Sequence, residues 1–337
     1  MSVEMAAPPP IAPFEGSGPR PFWSVMLPTY RPDPGYLEQT LRSVLEQDPG
    51  PEAMQIRLID DGSPEDPRLE KLVERLAPGR VEIERRATNA GMAATWNAGV
   101  TAARGHWVHL LHQDDLVLPG FYERLRAAIE AHPELGAAYT QQVLIDGEGR
   151  RRRLMSHNPA TEPGVVADWR RYVFEELTIQ TPSIVVQREA YERLGGFRPE
   201  MRYALDWDMW KRLAAAYPIW FDPTPLACYR RHNEGASIDF FASGENMAEV
   251  RLSIEAAKAY LPPAEAEESA RAAMCHYAGD AVDTALHGLF TMHSPRVAAA
   301  QLREALRFGV GWRIAPLIAD RLADGIKRWR EDRRAAP

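Results

Sequence analysis

The chain is predicted to be an α/β protein with a mixed but mostly parallel sheet flanked by helices, followed by a helical C-terminal extension. Three observations predict this. Short apolar runs alternate with segments of helical period from residue 22 onward. Three of those runs end in polar signals: "PTY" at 28–30, "DDGS" at 60–63 and "HQDD" at 112–115. Beyond about residue 244 the text turns helical and the strand signals stop. Strands separated by helices require crossovers, and crossovers produce parallel pairing with helices on the faces.

Residues 1–21, "MSVEMAAPPPIAPFEGSGPRP", are rich in Pro and Gly and have no apolar period, so a flexible, extended tail is expected. "WSVMLP" reads as a strand and "GYLEQTLRSVLEQ" as a helix, since Leu37, Leu41, Val44 and Leu45 share one face. "QIRLIDDGS" is a second strand, "RLEKLVERL" a helix, and "VEIERR" a third strand. "MAATWNAGVTAA" is the next helix, "HWVHLLH" a strand and "GFYERLRAAIEAH" a helix. "LGAAYTQQVLIDGEGRRRRL" carries the turn signal "DGEG" and predicts a hairpin. Its basic run, Arg150 to Arg153, is read as the solvated face of an exposed strand. "TPSIVVQREAYERLGGF" is a strand, then a helix ending at Gly195 and Gly196. "DWDMWKRLAAAY" is a helix and "PLACYRRH" a strand.

With 337 residues, 45% hydrophobic and 26% charged, the chain suits one large domain with a smaller appendage. A net charge of −7 argues against a nucleic-acid partner, which would call for a basic surface. Two cysteines, Cys228 and Cys275, cannot build a disulfide framework and suggest a reducing compartment. No apolar run approaches the length of a membrane span, so the expected location is the cytoplasm.

In open α/β sheets ligands bind beyond the carboxyl ends of the strands. If the three polar-ended strands are parallel, their signals converge on one edge. The bland reading of "DDGS" is a turn that caps the next helix. Asp114 and Asp115 resist a bland reading, because two adjacent like charges close an apolar run. Mg²⁺ or Mn²⁺ would relieve their repulsion, with phosphate oxygens completing the coordination. His106 and His109, at alternate positions of the preceding strand, read as packing residues.

The order "PTY…IDDGS…NAG…WNAG…HQDD…GGF…DWD…YRRH" resembles the inverting family-2 glycosyltransferases of the GT-A fold, over roughly residues 22–240. The resemblance implies that Pro28, Thr29 and Tyr30 line a nucleobase pocket and that Asp61 accepts from the base imino N–H. It implies that Asn89, Gly91 and Asn97 lie beneath the nucleotide. Asp114 would meet the ribose and Asp115 the metal, Mn²⁺ or Mg²⁺, with His232 completing the metal shell. Asp206 would be the base that deprotonates the acceptor hydroxyl, with Asp208 as its rival. Asp206 also suits the N-cap of the helix that follows. Arg230 and Arg231 would serve the diphosphate or the acceptor, and Trp207 would bound the sugar pocket or fill the core. The chain departs from the pattern at Trp96, His112 and Leu205, where the family usually carries charged residues. Trp96 and Leu205 motivate the alternative of a catalytically inactive nucleotide-sugar-binding scaffold.

The expected activity is transfer of a hexose or deoxyhexose from a UDP- or dTDP-sugar to a hydroxyl of a glycan. The expected organisation is the tail 1–21, a GT-A domain 22–240 with a nucleotide half to about 118 and an acceptor half beyond it, and a helical extension 241–337. From 298 to 337 there are nine Lys and Arg against five Asp and Glu. Ile314, Ile318, Leu322, Ile326 and Trp329 fall near one helical face, with Arg321, Lys327, Arg328 and Arg330 elsewhere. Such a helix packs on its own protein or rests peripherally on the inner membrane surface. Nothing in the text fixes an oligomeric state.

Overall fold

The computed structural model describes residues 5–64, 67–155, 160–176, 179–232, 237–309, 315–316 and 319–325. In chain order the first elements are β1 (Trp23–Thr29), α1 (Pro34–Leu45), β2 (Met54–Asp60), α2 (Pro67–Leu76), β3 (Glu82–Arg85), α3 (Met92–Ala102) and β4 (Trp107–Leu110). There follow β5 (Leu116–Val117), α4 (Phe121–Ala131), β6 (Ala137–Ile145), β7 (Arg151–Leu154), β8 (Gly164–Val165) and α5 (Trp169–Glu175). Then come β9 (Ile184–Gln187), α6 (Arg188–Leu194), α7 (Leu205–Ala216) and β10 (Ile219–Arg230). The chain divides into two compact units, the larger ending at His232, somewhat before the boundary expected at residue 240.

The ten strands form one sheet in the order β3-β2-β1-β4-β9-β6-β10-β5, with β7 paired to β6 and β8 to β10. β1 is parallel to both β2 and β4, with Thr29 opposite Asp60 and Met26 opposite Leu110. Val25, Met26 and Leu27 have no exposed surface, as a central parallel strand covered on both faces requires. β9 runs antiparallel to β4 and β6, and β10 runs parallel to β6. Two reversals restore the original direction, so β10 ends at the same edge as β1, β2 and β4. That register delivers Tyr30, Asp61, His112–Asp115 and Arg230–His232 to one side of the sheet.

Local signals explain the helices around this edge. Asp33 caps α1 by accepting from the N–H groups of Gly35 and Tyr36, and Pro34 opens the helix where an N–H has no partner to lose. Leu37, Leu41 and Val44 are buried as their spacing predicts, with Leu45 partly covered. β10 starts at Ile219, earlier than read, because Pro223 and Pro225 fall where its pairing with β6 shifts register.

The tail departs from the flexible segment expected of residues 1–21. Ile11 is buried, and the carbonyl of Pro9 accepts from Gly196 N–H at 2.7 Å. Arg188 donates to Ala12 O at 3.3 Å and Arg198 to Ala6 O. Proline lacks an N–H but keeps its carbonyl, so this segment needs external donors, and the α6 region supplies them. Gly195, at φ 80°, permits the approach, since a Cβ there would stand 2.9 Å from Pro8 Cβ.

The second unit is helical, with α8 (Ser237–Ser243), α9 (Glu245–Ala257), α10 (Pro263–Phe290) and α11 (Pro295–Arg307). Gly288 of α10 lies where a Cβ would meet Val297 Cγ1 at 2.9 Å, so these two helices approach closely. Among the described residues no helix is long and apolar enough to cross a membrane. Of the basic stripe, Arg321 pairs with Asp283 of α10 and Leu322 is partly buried. Ile314, Ile318, Ile326, Lys327, Arg328, Trp329 and Arg330 lie outside the described residues.

Replacing Ile11→Ala removes a buried side chain from the N-terminal strap. It should lower unfolding stability by about 2 kcal/mol, the low end for such a truncation, because a peripheral segment relaxes into the space. Urea denaturation checks this, and a change below a few tenths would mean the strap carries no stability.

Candidate active site

The first wall of the site is made by the ends of β1 and β2. Thr29 is buried, its hydroxyl 3.3 Å from Ile59 O, and Pro28 is partly covered. Tyr30 is 39% exposed, so its ring is free to stack, and Arg31 stands over it at 5.1 Å. Asp60 performs the turn expected of "DDGS", accepting from Ser63 N–H and Oγ, but α2 begins only at Pro67 and is not capped by it. Asp61 is separate and buried. Its two oxygens accept from Ala90 N–H at 3.0 Å and Gly91 N–H at 2.9 Å. Gly62, at φ 67°, lets the turn pass Thr88, where a Cβ would lie 2.5 Å from a backbone carbon.

Asn97 is tied to the backbone after Gly196. Its amide donates to Phe197 O at 2.8 Å and accepts from Phe197 N–H at 2.7 Å, so both polar groups are spent on the backbone after Gly196. Asn89 is exposed, and Gly91, at φ 86°, opens α3.

The second wall is the acidic cluster after β4. His112, Asp114 and Asp115 each offer a ligand atom, all within 4.8 Å of one another. Asp115 has no exposed surface: Oδ1 accepts from Arg230 N–H at 2.7 Å, and its carbonyl accepts from Thr40 Oγ1 at 2.8 Å. Asp115 Oδ2 lies 3.3 Å from His112 Nδ1, and His112 Nε2 is buried without a hydrogen-bond partner among the described residues. Asp114 is 23% exposed, and its Oδ2 lies 2.9 Å from His232 Nε2. Burial disfavours the His112 imidazolium, yet Asp115, Asp114 and Asp206 outweigh it and raise its pKa. Burial, together with Asp114, raises that of Asp115. The cluster therefore draws positive charge, and the carboxylate oxygens and imidazole nitrogen it gathers suit a hard divalent cation.

Arg230 is a strut. Its guanidinium donates to Asp114 O at 2.7 Å and Gln39 Oε1 at 2.9 Å, and reaches the carbonyls of Asp146 and Gly147, while stacking 4.5 Å over Tyr36. These bonds engage most of its donors, and it is 3% exposed. Arg231 is exposed.

The third wall is α7. The helix starts at Leu205 with Ala204 at the cap position, so Asp206 sits in the first turn and not at the cap. Its Oδ1 accepts from Trp207 N–H at 2.8 Å, and Thr181 also hydrogen-bonds it. Burial lifts its pKa to about 6, against the backbone N–H and His112. Asp208, the rival, is buried between Arg212 at 2.9 Å and Arg198 at 3.3 Å and is committed to those ion pairs. Trp207 is 1% exposed, with Lys211 against its ring and its N–H on Val173 O, and so belongs to the core and does not line a pocket. Trp210 and Leu205 are likewise buried.

His109 is packed as read, bridging Tyr122 and Pro182 O, but His106 precedes the strand and is exposed. Gln113 escaped the sequence reading. It accepts from Tyr30 N–H at 2.8 Å and ties the base wall to the acidic wall. Thr181 lies in the segment read as the start of a strand, and nothing in the sequence singled out its hydroxyl. A separate cavity of about 390 Å³, lined by Arg31, Leu37, Ser63, Leu69 and Arg85 among others, includes none of the clustered carboxylates.

Residues 24–195 match the family described as Glycosyl transferase family 2. An uncharacterised protein of Mycobacterium tuberculosis is 30% identical over 225 residues, covering 63% of this chain and 68% of that one. The O-antigen biosynthesis protein RfbC of Myxococcus xanthus is 26% identical over 58% of this chain. The chain spans about a fifth or less of the length of that protein and of a Sinorhizobium fredii relative. The crystal structure of S. aureus TarS 1-349 superposes with a TM-score of 0.59 at 18% identity, covering 94% of this chain and 92% of that one. TarS has also been crystallised with UDP and with UDP-GlcNAc. The fold is that of the GT-A enzymes, and the chain belongs to glycosyl transferase family 2.

Proposed function

We propose that the protein transfers a sugar, with inversion, from a uridine or thymidine diphosphate sugar to a hydroxyl of a glycan, with the help of Mn²⁺ or Mg²⁺. The observation that carries this reading is the convergence of an exposed aromatic ring, an acidic cluster and a buried carboxylate with a raised pKa at one sheet edge. TarS crystals with UDP and UDP-GlcNAc support a uridine donor, and RfbC supports a glycan product.

Tyr30 stacks on the base, and Asp61 accepts its imino N–H, since a carboxylate with two backbone donors keeps lone pairs for a third. Gly91 and Asn89 border the nucleotide, while Asn97 holds the floor through Phe197. The two adjacent carboxylates take roles different from those the resemblance implied. Asp114, partly exposed and against His232, would hold the cation, with His232 as its companion. Asp115, buried on Arg230 N–H, backs the site and fixes the end of β10. A divalent cation there would neutralise charge developing on the departing diphosphate. Arg231 reaches from the rim toward diphosphate or acceptor.

Asp206 takes the acceptor proton. A base is most effective with a pKa near working pH, and burial has moved this carboxylate toward that range. The enzyme reading is favoured over an inactive scaffold because Asp206 remains beside the cluster, without the arginine partners that occupy Asp208. The stacking of Trp96 on His112 at 5.0 Å accounts for two of the departures as a joint exchange.

Thermal shifts with nucleoside diphosphates and their sugars test the donor. UDP or dTDP should raise the midpoint selectively and only with Mn²⁺ or Mg²⁺, and Asp114→Asn should abolish the metal requirement together with turnover. No shift with any nucleotide would remove the reading. Asp206→Asn should cut turnover by about 10²- to 10⁴-fold with UDP affinity retained.

The same substitution should stabilise the fold above pH 6. The folded carboxyl keeps its proton to about pH 6, while the unfolded one releases it near pH 4. Stability therefore falls between those values as pH rises, and the full penalty, on the order of 3 kcal/mol, persists above them. Asp206→Asn should raise the denaturation midpoint at pH 7.5 and leave it nearly unchanged at pH 3.5. An equal effect at both pH values would show that the carboxyl is not raised.

A further inference from the structure

The hairpin of β6 and β7 leads from the candidate site to the basic run of residues 150–153. Leu144 of β6 pairs with Tyr229 of β10 on one side and with Arg153 of β7 on the other. Directly paired residues share a face of a sheet, so Tyr229, Leu144 and Arg153 form a row across three strands. Pairing continues past β10, with Arg231 N–H donating to Ile145 O at 2.9 Å. By alternation Arg231 therefore shares the face of Tyr229, while Arg230 points to the opposite face and stacks on Tyr36. Tyr229 feels the charges of Asp115, Tyr203, Asp114 and Arg231, which puts this face on the side of the acidic cluster and of the segment leading into α7.

The arginines of the run are not equivalent. Arg150 is paired with Asp146 and Glu148, and Arg152, the extra residue where the β6–β7 register shifts, is paired with Asp146. Arg153 and Arg231 are exposed and have no carboxylate partner among the described residues. Charged residues on an edge strand also discourage pairing with other chains. That purpose does not require two unpaired guanidinium groups on the face of Tyr229 beside the site of a chain with a net charge of −7.

We propose that Arg153 and Arg231, which share the sheet face of Tyr229 beside the acidic cluster, form a docking strip for an acceptor glycan bearing negative charge, as phosphodiester or carboxylate groups. The inference rests on the transferase reading and adds the acceptor's chemical class. Arginine forms bidentate hydrogen bonds with either anion, so the strip selects charge and leaves the two sources to be distinguished.

The test uses the full-length protein and three labelled oligomers: glycerol phosphate, galacturonate and neutral dextran. Fluorescence anisotropy measures their binding to the wild type, Arg153→Ala and Arg153→Glu, and the same samples are titrated with UDP and Mn²⁺. At least one anionic oligomer should bind and dextran should not, and the stronger anionic ligand identifies the source. Arg153→Ala should weaken anion binding about fivefold and Arg153→Glu more, as expected for a surface ion pair, with UDP affinity unchanged. The proposal is overturned by dextran binding as tightly as the anions, by unchanged anion binding in Arg153→Glu, or by no anion binding to the wild type. A wild type that binds the anionic oligomer but not UDP would instead overturn the donor reading.

Discussion

Two carboxylates on consecutive residues at the end of a buried strand need positive charge close by, and the site is organised around that need. Asp115 meets part of it by accepting the Arg230 N–H in a fully buried position. Asp114 turns outward to His232. His112 answers part of what remains, its Nδ1 3.3 Å from Asp115 Oδ2 and its pKa raised by the surrounding carboxylates, the mark of a cluster that favours positive charge. The structural carboxylate and the ligand-facing one thus differ by a single position in sequence and by burial in space.

The framework that makes this possible is the parallel register of β1, β2 and β4, together with the return of β10 to the same direction. Much of this was legible. Apolar runs of strand length, each closed by a polar signal, locate β1, β2 and β4 and the edge where they end, and the helical period of residues 35–47 matches α1 closely. The pieces that escaped are those whose local signal is contradicted by tertiary context. Pro223 and Pro225 hide the first half of β10, which tolerates them at register shifts. The N-terminal Pro-rich segment has the composition of a loose tail and nevertheless docks, because its carbonyls find donors on Arg188, Arg198 and Gly196.

Site residues were legible as a set and less so in their individual duties. Asn97, Arg230 and Trp207 lie close to where motif order puts them, yet their polar atoms bind backbone and, for Arg230, also the Gln39 side chain. No spacing rule distinguishes a side chain that faces a ligand from one that holds the wall behind it. Asp206 and Asp208 show the same limit: two residues apart on one helix, one is held by two arginines and the other is not. Trp96 and His112 read separately as departures from a family pattern. The structure shows them in contact, with Trp96 also packed against Phe197, so an aromatic pair occupies positions where charges are usual.

The most direct measurement is anomalous scattering at the manganese edge from crystals grown with UDP and Mn²⁺. The account predicts one strong peak about 2.1 Å from a carboxylate oxygen of Asp114, with the His232 imidazole and diphosphate oxygens around it. A peak elsewhere on the protein, or ordered UDP with no metal between its phosphates and Asp114, would contradict the account.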